Sequence, residues 1–101
     1  SITGGLKVER TADLRMTAVR LAASRRAVVE MTQFDELAAL GGIETVQVGG
    51  KEYIVQTALR REGGGSGPDG TEERYAVEIT VTWKDGRRDL SYGIALKKSK
   101  L

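Results

Sequence analysis

The sequence has no cysteine and no histidine, a single proline, and only five aromatic residues (one Phe, three Tyr and one Trp). The absence of cysteine excludes disulfide scaffolds, thiolate zinc sites and cysteine nucleophiles. The absence of histidine removes the commonest general base at neutral pH. Because most familiar enzyme mechanisms are thereby excluded, we expect a protein that is not an enzyme, with no catalytic residues, no cofactor and no bound metal.

Charge and length set further limits. The 16 basic and 14 acidic side chains leave a net charge of only +2, which permits nucleic-acid binding without requiring it. No stretch approaches the roughly 20 apolar residues of a membrane span. The 101 residues suit one domain with a modest core, spanning residues 1–101. Residues 1–5, SITGG, are as typical of a cloning remnant as of a natural start.

A helical region is predicted over residues 11–40, which contain neither proline nor glycine. Phe34 and Leu37 fall on a different face from the main apolar stripe, so we expect the helix to bend or restart near Thr32. Thr32 would then be the N-cap, with Asp35 three residues later as in a capping box. The apolar stripe, at spacings typical of a helix, is Leu14, Ala18, Leu21, Ala22, Val28 and Val29.

An antiparallel sheet is predicted over residues 43–98, where β-compatible runs alternate with turn signals. Gly49-Gly50 indicates a two-residue hairpin turn. Residues 62–70, EGGGSGPDG, are typical of a flexible loop that joins two hairpins. The predicted fold is therefore α+β, with one long N-terminal helix packed on a four-stranded antiparallel β-meander.

The last hairpin has the most regular alternation. Apolar side chains occupy every second position of residues 75–83, so one face of this strand is predicted to pack on the helix. If residues 85–86, Asp-Gly, form a type I′ turn, Val81 lies opposite Leu90 and every such pair on this face is apolar. Trp83, beside the turn, is predicted to lie at the rim of the core.

The order of three motifs after the helix resembles that of a known family. Glu36-Leu37, the segment VQVGGKEYIV at 46–55 and the run YAVEITVTW at 75–83 are similar to the soluble head of a type IV minor pilin or a type II secretion pseudopilin. The resemblance covers roughly residues 11–96. It implies a pilin-like fold and a structural subunit that acts by protein-protein assembly in a filament.

The resemblance also implies a location and partners. Members of this family carry a leader and an apolar helical half that anchors them in the membrane, and this sequence contains neither. It implies a native protein of the bacterial cell envelope, in the inner membrane and periplasm or on a surface filament, of which this sequence is the soluble head. Its partners would be other pilin or pseudopilin subunits. The lack of a cysteine pair favours the minor pilin or pseudopilin branch.

A second face of the helix is the candidate assembly surface. Met16, Val19, Ala23 and Ala27 lie about half a turn from the Leu14 stripe and could contact neighbouring subunits. The alternative is that these mostly small side chains simply favour helix on a solvated face.

Paired basic residues are the second candidate site, because they could gather phosphates as a DNA-uptake minor pilin would require. Acidic residues are interspersed with them, so solubility and edge protection are the alternative. Asp69, Glu72 and Glu73 offer oxygen ligands, but they lack the spacing of a calcium loop. The alternative function is a soluble α+β module that binds a protein or nucleic acid. The candidate basic contacts are Arg25, Arg26, Arg60, Arg61, Arg87 and Arg88.

Overall fold

The computed structural model describes residues 2–63 and 73–99, and it describes side chains of the first helix from residue 13 onward. The sheet is antiparallel throughout, and its four strands lie side by side in the order in which they follow one another in the chain. The predicted loop lies mostly outside the described residues, as do Asp69 and Glu72. The elements are α1 (Ile2–Met31), a 3-10 helix (Phe34–Leu40), β1 (Gly42–Val48), β2 (Lys51–Glu62), β3 (Arg74–Asp85) and β4 (Arg88–Ser99).

The prediction of a long N-terminal helix packed on the sheet, in a pilin-like fold, is wrong. The four-stranded sheet is the larger part of the structure, and the part of α1 that is described as packing on it is short. Its side chains are described from residue 13, Leu14 is the first that packs against the core, and α1 ends at Met31. The sheet therefore provides most of the structure, and the helix covers part of one face.

The predicted helical region 11–40 is interrupted where its apolar stripe changes face. Thr32 donates its Oγ1 hydrogen to the carbonyl of Val28 at 2.6 Å, so its side chain turns back onto α1. The capping box at Thr32 is not formed, because the 3-10 helix has Gln33 at its N-cap, without a side-chain cap. The break lets Leu37 reach the core, which a continuous helix would prevent.

The core lies between the helix and one face of the sheet. Small residues on α1 allow the helix to approach the strands closely, and the aliphatic and aromatic side chains of β2 and β3 fill the space beneath it. Trp83 is buried in the core rather than at its rim, and its ring centroid lies 6.1 Å from that of Tyr53. The buried hydrophobic residues are Ala18, Ala22, Val29, Leu37, Tyr53, Val55, Val77, Ile79, Val81 and Trp83.

The first hairpin has the predicted register around Gly49-Gly50, but the last hairpin does not. Val81 pairs with Tyr92 and not with Leu90, because the two turn residues are 86–87, one position later than predicted. Gly86, the first turn residue, has φ +66°, whereas Arg87, the second, does not have a positive φ. This combination fits a type II′ turn. The shift moves each partner by two positions, so the same side chains still face the helix.

Lys98 on β4 closes the C-terminal end of α1. Its Nζ donates to the carbonyl of Val29 at 3.0 Å and of Glu30 at 2.7 Å, and also to the carbonyl of Thr32. The last carbonyls of a helix have no partner within the helix, and a cation there also interacts favourably with the helix dipole. One side chain of the last strand therefore caps the helix and joins it to the edge of the sheet.

Candidate functional site

The face of the sheet that points away from α1 has exposed residues on all four strands. We call it the open face. Two complete rows of cross-strand neighbours run over it from β1 to β4 without a charged side chain. This uncharged band consists of Ile43, Gln56, Thr80 and Gly93 in one row and Thr45, Ile54, Thr82 and Ser91 in the next.

Two isoleucines stand out on the uncharged band. Ile43 is 69% exposed and Ile54 is 42% exposed, on neighbouring strands. The solvated face of an antiparallel sheet is expected to alternate polar side chains, and edge strands in particular tend to carry charge. This feature was not among the predicted sites, although isoleucines at polar positions of both strands were a signal for it in the sequence.

A charged cluster lies beyond the uncharged band, at the far end of β2 and β3. The carboxylate of Glu62 accepts hydrogen bonds from Arg60 Nη2 at 2.6 Å and from Arg74 Nε at 3.2 Å, and Lys97 Nζ lies 3.5 Å away. The hydrogen bonds from the two arginines, with the charge of Lys97, lower the pKa of Glu62 to about 2. Between this cluster and the band is a shallow depression of about 600 Å³, floored by Ala58.

Glu62 should make the stability of the protein depend on pH in the acid range. Its pKa is lowered from an ordinary 4.5 to about 2 in the folded state, so its stabilisation is complete above pH 4.5 and lost as the pH falls to about 2. We expect Glu62→Gln to melt below the wild type at neutral pH, with the two melting temperatures converging across this window. Thermal unfolding at a series of pH values measures this.

Two measurements test whether the charge of Glu62 and its hydrogen bond from Arg60 cause this pH dependence. A melting-temperature difference that stays constant from neutral pH to pH 2 would show that the Glu62 carboxylate contributes nothing through its charge. An NMR titration of Glu62 in the variant Arg60→Met should give a higher pKa than in the wild type, because the largest single contribution is the hydrogen bond from Arg60.

Of the six candidate basic contacts, Arg25 is turned inward. Its Nε donates to Thr57 Oγ1 at 3.1 Å, and its Nη2 donates to the carbonyl of Leu40 at 3.2 Å. Thr57 is the only buried polar residue of the described chain. Arg25 therefore joins α1, the sheet and the end of the 3-10 helix.

The other candidate basic contacts are spread over the molecule. Arg87 and Arg88 are exposed at the turn between β3 and β4. Glu73 raises the pKa of Arg61 through a hydrogen bond and its charge. The structure therefore does not bring the six arginines together as one basic surface. The carboxylate pairs are Arg26 with Glu30 at 2.9 Å, Arg60 with Glu62 at 2.6 Å and Arg61 with Glu73 at 2.7 Å.

The candidate assembly face of α1 lies on the side of the helix away from the core. Met16 is 52% exposed, Ala23 and Ala27 are exposed, and Val19 is half-buried. These positions are accessible to a partner, as the positions of an assembly face must be. Accessibility is equally what a solvated helix face would have, so both interpretations remain predictions.

Some kinds of site are not found within the described residues. The described part of the chain has no group of three or more acidic, histidine or cysteine side chains that could hold a metal. Among the described residues, no helix is long and apolar enough to cross a membrane. Trp83 Nε1 is buried without a hydrogen-bond partner among the described residues.

Comparisons with known protein families, with curated proteins and with solved structures find no match to this chain.

Proposed function

We propose that this chain is a structural subunit of a type IV pilus-like or type II secretion pseudopilus filament in the bacterial cell envelope, acting by protein-protein assembly and not by catalysis. The choice of filament rests on the resemblance of residues 36–37, 46–55 and 75–83. The observation that carries the assembly role is the uncharged band of the open face, and other subunits of the filament are its proposed partners.

The uncharged band shares one property with the buried centre of a protein interface, which is the lack of charged side chains. The buried centre of a protein interface is depleted in charged residues, and its rim is polar. Here Ile43 and Ile54 stand within two rows that have no charge, while charged side chains lie beyond the rows. Two exposed isoleucines that do not serve the core are explained if another subunit covers them.

The assembly role predicts a specific loss when a charge enters the band. We expect Ile54→Arg to abolish filament assembly or secretion in the native host, because an unpaired guanidinium would be buried at the contact. The purified variant should unfold within about 0.5 kcal/mol of the wild type, since Ile54 is on the surface. Filaments are counted by electron microscopy and stability is measured by urea unfolding.

Glu52→Arg is the matched control, because it places the same side chain on the same face of β2 but outside the uncharged band. It should leave assembly intact. Normal filaments from Ile54→Arg would overturn the role of the band. The alternative, a nucleic-acid-binding module, predicts binding by the purified chain that weakens steeply with salt and is lost when Arg87 and Arg88 are both replaced by alanine.

A further inference from the structure

The outer edge of β4 is the longest strand edge that the described sheet leaves unpaired. β4 runs from Arg88 to Ser99 and pairs with β3 at every position, without a bulge. β4 contains no proline, and the other edge strand, β1, is only 7 residues long. Proteins usually interrupt or shorten an exposed edge of this kind, because its free backbone groups readily pair with another strand.

We propose that β4 pairs antiparallel with β4 of a second copy of this chain, with Gly93 opposite Gly93 on the two-fold axis. An antiparallel pairing of a strand with itself is symmetric, so it creates a closed dimer from one surface. The two sheets would join into a continuous sheet of eight strands. Backbone hydrogen bonds along both strands would provide the contact.

Charge and shape select this register. With Gly93 at the axis, Asp89 of each copy lies opposite Lys97 of the other, so two opposite-charge pairs form by symmetry. Each Lys97 would then lie between Asp89 of the other copy and Glu62 of its own chain, which is 3.5 Å from its Nζ. On the helix side, Leu90 lies opposite Leu96, and both are only half-buried in the single chain. Moving the centre to Ile94 would oppose Asp89 with Ser99 and lose both charge pairs.

Two pairings in this register are unfavourable in charge, since Arg88 of each copy lies opposite Lys98 of the other. The ammonium group of Lys98 is already bound by the carbonyls at the end of α1, so its charge is partly compensated within its own chain. The edge of β1 offers no comparable register. Its single charged residue is Glu44, which lies 3.9 Å from Arg25 of the same chain.

The position of α1 is compatible with this dimer. Arg25 and Val28 lie on the side of the helix that faces β1 and β2. Val19, which is half-buried and lies on the opposite side of the helix from Val28, is therefore on the side toward the β4 edge. Because opposed residues of the two β4 strands point to the same side, both helices would lie over one face of the joined sheet. Part of the candidate assembly face would then border the dimer.

A single cysteine at the axis tests the register directly, because the chain has no cysteine of its own. In the full chain carrying Gly93→Cys, the two sulfur atoms would lie on directly opposed residues, whose Cα atoms are roughly 4.5 to 5.5 Å apart. A Cβ added at Gly93 meets its nearest atom at 3.7 Å, so the variant should fold. We expect a disulfide-linked dimer to predominate under mild oxidation.

Ser91→Cys is the matched control on the same edge and the same face. In this register Ser91 of the two copies would be offset by four residues, or roughly 13 Å, which is too far for a disulfide. Equal cross-linking of the two variants would overturn the register. A wild-type chain that sediments as a monomer at every concentration, with no disulfide dimer from Gly93→Cys, would overturn the dimer itself.

Reversing charges gives an independent test. Asp89→Lys should weaken the dimer about tenfold in sedimentation, and the double variant Asp89→Lys with Lys97→Asp should restore it. Failure of the double variant to restore the dimer would contradict the pairing of these residues. The dimer rests on the backbone edge of β4 and not on the exposed side chains of Ile43 and Ile54, so normal dimers from Ile54→Arg with no filaments would separate this inference from the proposed function.

Discussion

Replacing Ile79 by alanine should lower the free energy of unfolding by about 3 to 4 kcal/mol. Ile79 lies in the middle of β3, between Thr57 on β2 and Ile94 on β4, and is 0% exposed. Truncation would remove buried methyl groups and leave a cavity that two neighbouring strands and the helix keep open. Urea unfolding followed by circular dichroism measures the change.

Ile54→Ala is the matched control, since it makes the same chemical change on the neighbouring strand, on the open face. It should cost less than about 1 kcal/mol, because much of this side chain is already in water. Two variants of equal stability would show that the helix does not cover β3 as described. The loss in Ile79→Ala would be a large part of the total stability of a domain of this size.

Arg25→Met should have the second largest effect, a loss of about 2 kcal/mol of unfolding free energy. The substitution keeps the aliphatic part of the side chain but removes both of its hydrogen bonds. The buried hydroxyl of Thr57 and the carbonyl of Leu40 would lose a charged donor. A cycle with Thr57→Val should show a coupling of about 1 kcal/mol between the two side chains.

Arg26→Met is the control for Arg25, because it makes the identical change one residue later on the same helix. Arg26 pairs with Glu30 at the surface, and such pairs contribute less than about 0.5 kcal/mol. Equal losses from both arginine variants would contradict the inward role of Arg25. High salt should reduce the effect of Arg26→Met and leave that of Arg25→Met largely unchanged.

The strands of the sheet could be predicted from the sequence because the residue patterns that indicate strands and turns lie within short segments. Alternation of apolar residues assigned the faces of β3 and β4 correctly, and Gly49-Gly50 located the first turn. The last turn was predicted one position too early, because the glycine of an Asp-Gly pair can also be the first residue of a two-residue turn. In that turn only the glycine has a positive φ, and Asp85 belongs to β3. Alternation does not detect this error, since a shift of two positions leaves every face unchanged.

The extent of the helix and the candidate site were harder to predict. Absence of proline and glycine permits a helix over 11–40, but it does not show how much of that helix packs on the sheet. The role of Arg25 depends on Thr57, which is 32 residues away in the sequence. The cluster around Glu62 likewise joins three strands, so no short window of sequence contains it.

The bond between Lys98 and the end of α1 has a consequence for how the chain folds as it is made. Donor and acceptors are 66 to 69 residues apart, so the helix is synthesised long before the side chain that caps it. While β4 is still within the ribosome, α1 has uncapped carbonyls and β3 has one neighbour instead of two. The nascent chain therefore gains its last strand and its helix cap in the same step, and we expect it to fold late and cooperatively.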